Sequence, residues 1–404
     1  MVLVEKHQIK KTHKYYNEID KLAFLSKNLY NISLYNIRQY FFETKEFFNL
    51  TKNYDLIKNQ QKTDYESLPR KVSNKVVLQV NQDFNSFFKG LNEYKKNPSK
   101  FKGKPEIPHY KDKLDGRNVV MYEKGAISKK QLDKGFFNPS GTDIYISTKI
   151  THKEIKEARL VKKINSYVIE IIYEKENKEL IKDNGIYCGG DLGMNNLIAL
   201  TFNNGDKPMI INGKPLKSIN HFYNKKLAFL KSELETKNKL KTSKQIKKLT
   251  QKRNNKIDDY MHKASRMIVN LLVSKGITKM VIGKNKNWKQ DINIGKKNNQ
   301  NFVQIPFYKF INLIKYKCML EGIDVITNEE SYTSKCSFFD EETIKKHDVY
   351  LGKRIKRGLF KTCKGLLINA DVNGSYNILK KAIPNAFANG IQGLTVNPLK
   401  LNVL

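Results

Sequence analysis

The 404-residue chain carries 75 Lys and Arg against 39 Asp and Glu, a formal net charge of +36. AT-rich codon usage accounts for abundant Lys and Asn but not for the shortage of acids, so the charge points to a polyanionic partner. No stretch approaches the ~20 apolar residues of a membrane span, the first residues lack a signal-peptide core, and Cys188, Cys318, Cys336 and Cys363 are too few for a disulfide framework, which together imply a cytoplasmic protein of two to three domains with no membrane partner.

Residues 2–9 predict a short strand. From 13 to 68 the pattern turns helical and aromatic, and Leu25, Leu29, Tyr30, Leu34, Ile37 and Phe41 recur at the spacing of one buried helix face. Leu68-Pro69 opens another helix with Val72, Val76, Val80, Phe84 and Phe87 on one side. Its other faces carry Lys75 and Gln79, suited to base edges or simply to solvent. A Pro/Gly/Lys linker over 98–108 marks a boundary, and 109–180 read mostly as strands, clearest at 143–148 and 167–173.

From 186 onward the predicted order is three strands (the third at 207–212), long helices over 219–276, a strand at 277–282, a helix over 305–322, a strand at 323–330, an insertion and a final helix. In the last of the long helices Ile257, Met261, Ala264, Ile268 and Leu271 form the apolar stripe. His262 and Arg266, four apart on an adjacent face, are placed to meet phosphate or each other, and Arg253 joins them as a basic candidate for nucleic acid.

Acids matter most here because they are few. Asp191 lies in Tyr187-Cys-Gly-Gly-Asp-Leu-Gly-Met-Asn-Asn196, between two apolar strands. Asp371 lies in Asn369-Ala-Asp-Val-Asn-Gly-Ser-Tyr-Asn377, where a polar start opens an apolar helix. A carboxylate on a central strand and another at a helix start resemble the way RNase H-like nucleases hold two divalent metals, Mg²⁺ or Mn²⁺, which clamp the attacking and leaving oxygens of a phosphodiester. A third acid is expected from the strand at 277–282, which instead runs into Gly283. The next strand ends in Glu329-Glu330. Neighbouring strands lie ~4.8 Å apart, about one Glu side chain, and a glycine between them leaves room for that side chain to cross. The third acid is therefore read as moved by one strand.

Gly189-Gly-Asp-Leu-Gly193, Thr333-Ser-Lys335 and the Asp371 segment resemble the three-part RuvC domain of TnpB (OrfB), the insertion-sequence proteins related to type V CRISPR effectors. Residues 101–111, Phe-Lys-Gly-Lys-Pro-Glu-Ile-Pro-His-Tyr-Lys, are similar to a stretch of the same family. The glutamate before Thr333-Ser-Lys335 resembles the rearranged site of the Fanzor relatives, and by that pattern Glu330 is the acid, with Glu329 its runner-up.

The resemblance implies an RNase H-like (RuvC) α/β nuclease domain over 181–404, with a basic helical hairpin at 219–276. It implies an oligonucleotide-binding β-barrel (wedge) from 1–12 and 105–180, and a helical recognition insertion over 13–104, with Lys75 and Gln79 beside the motif that flanks the target. Activity would be RNA-guided cleavage of double-stranded DNA by Asp191, Glu330 and Asp371 with two Mg²⁺ or Mn²⁺ ions. The guide would be RNA from the end of a prokaryotic mobile element, and the protein cytoplasmic and nucleoid-associated. A guided repressor with a dead nuclease, or a transposase-associated DNA-binding protein, are the competing classes. Gly283 favours the repressor, while the intact Asp191, Glu330 and Asp371 oppose it.

Between 333 and 368 most TnpB relatives carry a four-Cys zinc ribbon. Here each pair has lost its second thiol, leaving Cys336 and Cys363, so zinc is not expected and Phe338, Phe339, Phe360 and Leu366 are expected to pack instead. Lys335, Arg354 and Arg357 keep the segment basic and are candidates to contact nucleic acid. Trp288, the single tryptophan, is read either as a buried anchor or as a stacking surface for a base.

Overall fold

Exposed and half-buried residues alternate along Val2–Lys10, which forms the edge strand β1. The computed structural model describes residues 1–238, 242–285, 293 and 295–403, and they divide into two units, Met1–Glu176 and Asn177–Leu404. In the first unit β1 is followed by helices α1 (Tyr16–Thr44), α2 (Leu50–Gln60), α3 (Lys62–Glu66) and α4 (Arg70–Lys96). The helical run expected over 13–68 is therefore three helices. Lys45 ends α1 in the left-handed region (φ 60°), and the Asn49 side chain caps α2 by accepting from the Lys52 amide at 2.9 Å.

Strand β2 (Val120–Glu123), helix α5 (Lys129–Asp133) and strands β3 (Phe136–Phe137), β4 (Ile146–Ser147), β5 (Ile155–Lys162) and β6 (Ser166–Glu174) complete the unit. The main sheet is antiparallel in the order β1-β6-β5-β2. Its edge strands β1 and β2 do not pair with each other, so among the described residues it is an open four-stranded sheet where a barrel was expected. Ile19, Leu34, Val76 and Phe84 of the helices share one core with Tyr122, Leu160 and Ile169 of the strands. Each such burial contributes about 1.5–3 kcal/mol, so the helical and strand segments hold each other up. Asp20 of α1 fastens them further, accepting from Arg117 and Lys162 at 2.8 Å each and from Tyr167 at 2.7 Å.

The second unit holds β7 (Tyr187–Leu192), β8 (Asn196–Phe202), β9 (Met209–Asn212), α6 (Lys214–Asn238), α7 (Lys244–Ser274), β10 (Lys279–Gly283), α8 (Lys296–Gln304), α9 (Phe307–Met319), β11 (Asp324–Asn328), β12 (Lys353–Lys356), β13 (Leu359–Lys361), β14 (Leu367–Asn369), α10 (Ala370–Ala382) and β15 (Leu399–Leu401). Six strands form one sheet in the order β11-β10-β7-β8-β9-β15. The β7-β8-β9 meander is antiparallel, β10 and β11 run parallel to β7, and β15 adds a parallel edge beside β9. Without β15 this is the RNase H-like strand order. Alternate residues face opposite sides: Cys188, Leu200 and Met280 pack with α7 and α9, whereas Ala199 and Val281 lie in the clusters that include α10. The Gly189-Gly190 pair is what lets α10 lie so close, since a Cβ at 189 would stand 2.4 Å from the Ser375 carbonyl oxygen. Among the described residues no helix is long and apolar enough to cross a membrane.

Candidate active site

Three elements bring the predicted acids together. Asp191 is the penultimate residue of β7, paired with Ala199 of β8. Asp371 sits in the first turn of α10, where a carboxylate is favoured by the helix dipole. Asn369 caps that helix, accepting from the Asp371 and Val372 amides at 3.0 and 3.3 Å. Glu330 lies two residues past β11, and β10 with its terminal Gly283 runs between β7 and β11.

Gly283 is occupied by a neighbour. A Cβ there would stand 2.7 Å from Glu330 Oε2 and 2.5 Å from Ile378 Cδ1, so the Glu330 carboxylate fills the corner that the glycine leaves. Asn285 fixes it from both ends: its Nδ2 donates to Glu330 Oε1 at 3.2 Å, and its Oδ1 accepts from the Glu330 amide at 3.1 Å. Glu330 Oε2 is buried and has no hydrogen-bond partner among the described residues. Glu329 points elsewhere, to Lys381 Nζ at 2.7 Å, with half its side chain exposed. That pair, opposed by slight desolvation, holds its carboxyl below the usual range.

The other two acids have close neighbours of their own. Asn196 Nδ2 donates to Asp371 Oδ2 at 2.7 Å, and the Arg354 guanidinium of β12 lies 3.9 Å from Asp371 Oδ1. A Cβ at Gly374 would stand 2.7 Å from Asp191 Oδ2, so α10 presses its glycine against this carboxylate. Burial, then repulsion from Asp371 and Glu330, pushes Asp191 well above the ordinary range despite Arg354. Burial, then Glu329, pushes Glu330 up to about 7 against the pull of Lys381. Among the described residues no three His, Cys, Asp or Glu side chains are arranged to hold a metal ion as they stand. Yet the donor set is hard carboxylate oxygen, one of those oxygens is buried without a partner, and the charges repel, all of which a divalent cation between them would relieve.

The raised Glu330 gives a signed stability prediction. Its folded value near 7 exceeds the ordinary 4.5, so the folded state binds the proton more tightly and loses stability as pH rises from about 4.5 to 7. The loss from this group is on the order of 3 kcal/mol. Thermal melts with chelator at pH 5 and pH 8 should drop more in the wild type than in Glu330→Gln. Equal drops would show that Glu330 is not held as a buried acid.

The remaining predicted residues are mostly engaged within their units. Lys75 pairs with Glu123 at 2.7 Å, and Gln79 Oε1 accepts from Asn118 at 3.1 Å. Arg253 ties helices together, donating to Asn220 Oδ1 and the Gln304 carbonyl at 2.8 and 2.9 Å. Arg266 pairs with Glu321 at 3.4 Å, and the carbonyl of His262 accepts from the buried Lys317 at 2.7 Å. Lys335 and Arg354 line one groove of about 520 Å³ with Tyr350 and Phe360, and Arg357 is near enough to lower the Lys217 ammonium after burial. Trp288 lies outside the described residues. Asn196, Asn285 and Gly374 were not anticipated. Asn196 lay within the Asp191 motif and Asn285 just beyond Gly283, but pairing across the sheet is invisible in sequence.

The insertion is joined by carboxylates. Asp340 accepts from the Ser337 hydroxyl at 2.6 Å and the Cys363 amide at 2.8 Å, bridging the two former Cys pairs. Glu342, nearly buried, accepts from the Ser337 and Leu351 amides at 2.7 and 3.0 Å. Cys336 is buried against the Thr343 and Lys345 carbonyls, whereas Cys363 is exposed. Phe338 and Phe360 pack with Tyr376, while Leu366 is 40% exposed, not part of that core. Elemental analysis of purified protein should find well under one zinc per chain; a stoichiometric zinc released only on unfolding would overturn this account.

Two family models match successive parts of the chain: residues 170–289 match the OrfB_IS605 family, described as probable transposase, and residues 307–378 match the Cas12f1-like TNB domain. The CRISPR-associated endodeoxyribonuclease Cas12f2 of Micrarchaeota archaeon (strain CG1_02_47_40) is 28% identical over 233 residues, 54% of this chain; the match spans only 41% of that relative's length. A Cas12f1–sgRNA–target DNA complex aligns over 93% of this chain and 98% of its own at 15% identity, with a TM-score of 0.38. The mini-RNA-guided endonuclease CRISPR-Cas_phi3 aligns over 99% and 94% at 11% identity, with a TM-score of 0.43. Both scores are too low to imply a shared fold, which rests on the strand order. The second unit thus has the strand order of RNase H-like domains, with acids at one end of its sheet. The chain is similar to the OrfB_IS605 proteins over residues 170–289 and to Cas12f proteins over residues 307–378.

Proposed function

We propose that the chain is an RNA-guided DNA endonuclease of a prokaryotic mobile element, with Asp191, Glu330 and Asp371 as its acidic triad. The observation that carries this reading is the filled corner at Gly283: Glu330 takes the space a β10 side chain would occupy, and its charge is felt at Asp191. A degraded site would have no reason to keep an acid buried there against desolvation. The kinship with an endodeoxyribonuclease and the net charge of +36 support DNA as substrate and nucleic acid as guide.

Asp191, Glu330 and Asp371 would hold two divalent cations, Mg²⁺ or Mn²⁺, which when bound polarise the phosphate and lower the pKa of an attacking water. The chain's own residues supply positioning. Asn196 and Asn285 would orient Asp371 and Glu330, limiting how far these carboxylates must move to meet a cation. Arg354, beside Asp371, would offset charge on the phosphate, and Lys335 and Arg357 would hold flanking phosphates. The wedge and recognition roles of the first unit, including Lys75 and Gln79, belong to the same proposal.

The test is cleavage of plasmid DNA by protein with its copurified RNA, with Mg²⁺ or with chelator. Cleavage at sites complementary to that RNA, lost on RNase treatment and in chelator, is expected. Sequence-specific DNA binding of equal strength by RNA-free protein would overturn the guided reading.

A further inference from the structure

Three of the exposed aromatic rings of the Met1–Glu176 unit, Tyr35, Phe42 and Tyr110, share one patch with Arg38. Tyr35 and Phe42 lie seven residues apart on α1, with Arg38 between them, and Tyr110 joins from the segment just after the 98–108 linker. The rings are 52%, 46% and 44% exposed in that order. The Arg38 guanidinium carbon sits 5.6 Å from the Phe42 centroid and 4.9 Å from that of Tyr110. Partial burial, the pull of Arg38 and the opposing push of Tyr35 all act on the Tyr110 phenol and leave it above its usual value, so the groups share one patch.

That segment is laced to α1, so Tyr110 has little freedom to lose. Arg38 donates to the Pro108 carbonyl at 3.2 Å, and Asn31 donates to the Lys111 carbonyl and accepts from its amide, both at 2.9 Å. Lys27 closes the run on the Lys113 carbonyl at 2.7 Å. Leaving apolar faces in water is unfavourable unless something covers them. Ring faces interleaved with a flat guanidinium suit a flat, electron-rich ligand. Exposed Lys102 and Lys104 of the linker and Lys113 of the segment after it supply charge for phosphates, while Glu106 is taken up by His109 at 2.8 Å.

We propose that Tyr35, Arg38, Phe42 and Tyr110 form a stacking platform for unpaired bases of a single-stranded nucleic acid. Bases inside a duplex have their faces covered by their neighbours, whereas a single strand offers them to aromatic and Arg planes. The proposal rests on the reading that the chain binds nucleic acid, though not on its being a nuclease.

The test uses the full chain and short fluorescent oligonucleotides, RNA and DNA in separate arms, titrated at several salt concentrations. Tyr35→Ala and Tyr110→Ala should each weaken single-strand binding roughly 10-fold, leaving the slope of log K against log salt unchanged. Tyr35→Phe and Tyr110→Phe, which keep the ring, should bind as the wild type does, and a duplex of the same sequence should not respond. The arm that responds more identifies the strand. Wild-type affinity in the Ala variants, a changed salt slope, or Phe variants as weak as the Ala ones would overturn the platform. So would Ala variants that alter only self-association by light scattering, which would assign the patch to a second copy of the chain. Guided DNA cleavage measured alongside separates the two readings: no platform effect with cleavage intact sinks the platform alone, and a wild type that binds no nucleic acid sinks both.

Discussion

Glu330→Gln is expected to abolish target DNA cleavage, by roughly 10³-fold or more, while guide and target binding persist. The amide keeps the shape of the side chain and the contacts to Asn285, but removes the charge that would face a cation. Glu329→Gln breaks the exposed pair with Lys381, which contributes little in water, and removes a charge that pushes Glu330 up without touching the Glu330 carboxylate itself, so its cleavage should stay near the wild-type rate. The comparison is cleavage rate against retained binding for both variants. Full activity in Glu330→Gln with loss in Glu329→Gln would reverse the assignment; full activity in both would remove the third acid from the segment after β11 altogether.

Gly374→Ala is the second large effect, because it separates activity from stability. In a helix interior the exchange gains about 1 kcal/mol of propensity. The added methyl would stand 2.7 Å from Asp191 Oδ2, the far end of a side chain that can swing aside. Folding should therefore be nearly unaffected, whereas a carboxylate displaced by about 1 Å costs on the order of 10²-fold in rate. Melting temperature and cleavage rate measured on the same preparation decide it. A variant that cleaves normally, or one that fails to fold, would contradict the packing described.

The placement of Asp191 on a strand and of Asp371 at a helix start was legible in the sequence because local signals surround them. Apolar strands flank the Gly-Gly-Asp run, and Asn369 announces a helix start. Gly283 and Glu330 were legible as a pair only through the strand spacing, and Asn285 completes that pair through contacts that no periodicity encodes. The extra edge strand β15 pairs with β9 across 190 residues of chain, as the Asn212–Asn402 bond illustrates, and such pairing leaves no local trace. Strand content in the first unit was visible from alternation. Its open sheet was not, because closure depends on whether the edge strands meet. The spacing of Leu25, Leu29, Tyr30, Leu34, Ile37 and Phe41 suggested a buried face on α1, and Leu29, Tyr30, Leu34 and Ile37 are buried while Leu25 and Phe41 are half-buried; Tyr35 and Phe42 each lie one residue past that stripe.

The collision at Gly283 also restricts the mutational routes open to this site. A Cβ at 283 meets Ile378 Cδ1 at 2.5 Å as well as Glu330 Oε2 at 2.7 Å, so in this packing a side chain on β10 and the Glu330 carboxylate compete for one corner. The glycine must come first, and for as long as the corner is empty the site has two acids instead of three. Under the proposed function the two arrangements are therefore separated by a step of low activity. Substitutions at 283 and 330 are expected to depend on each other in sign: Gly283→Glu harmful beside Glu330, yet beneficial once Glu330 has been replaced.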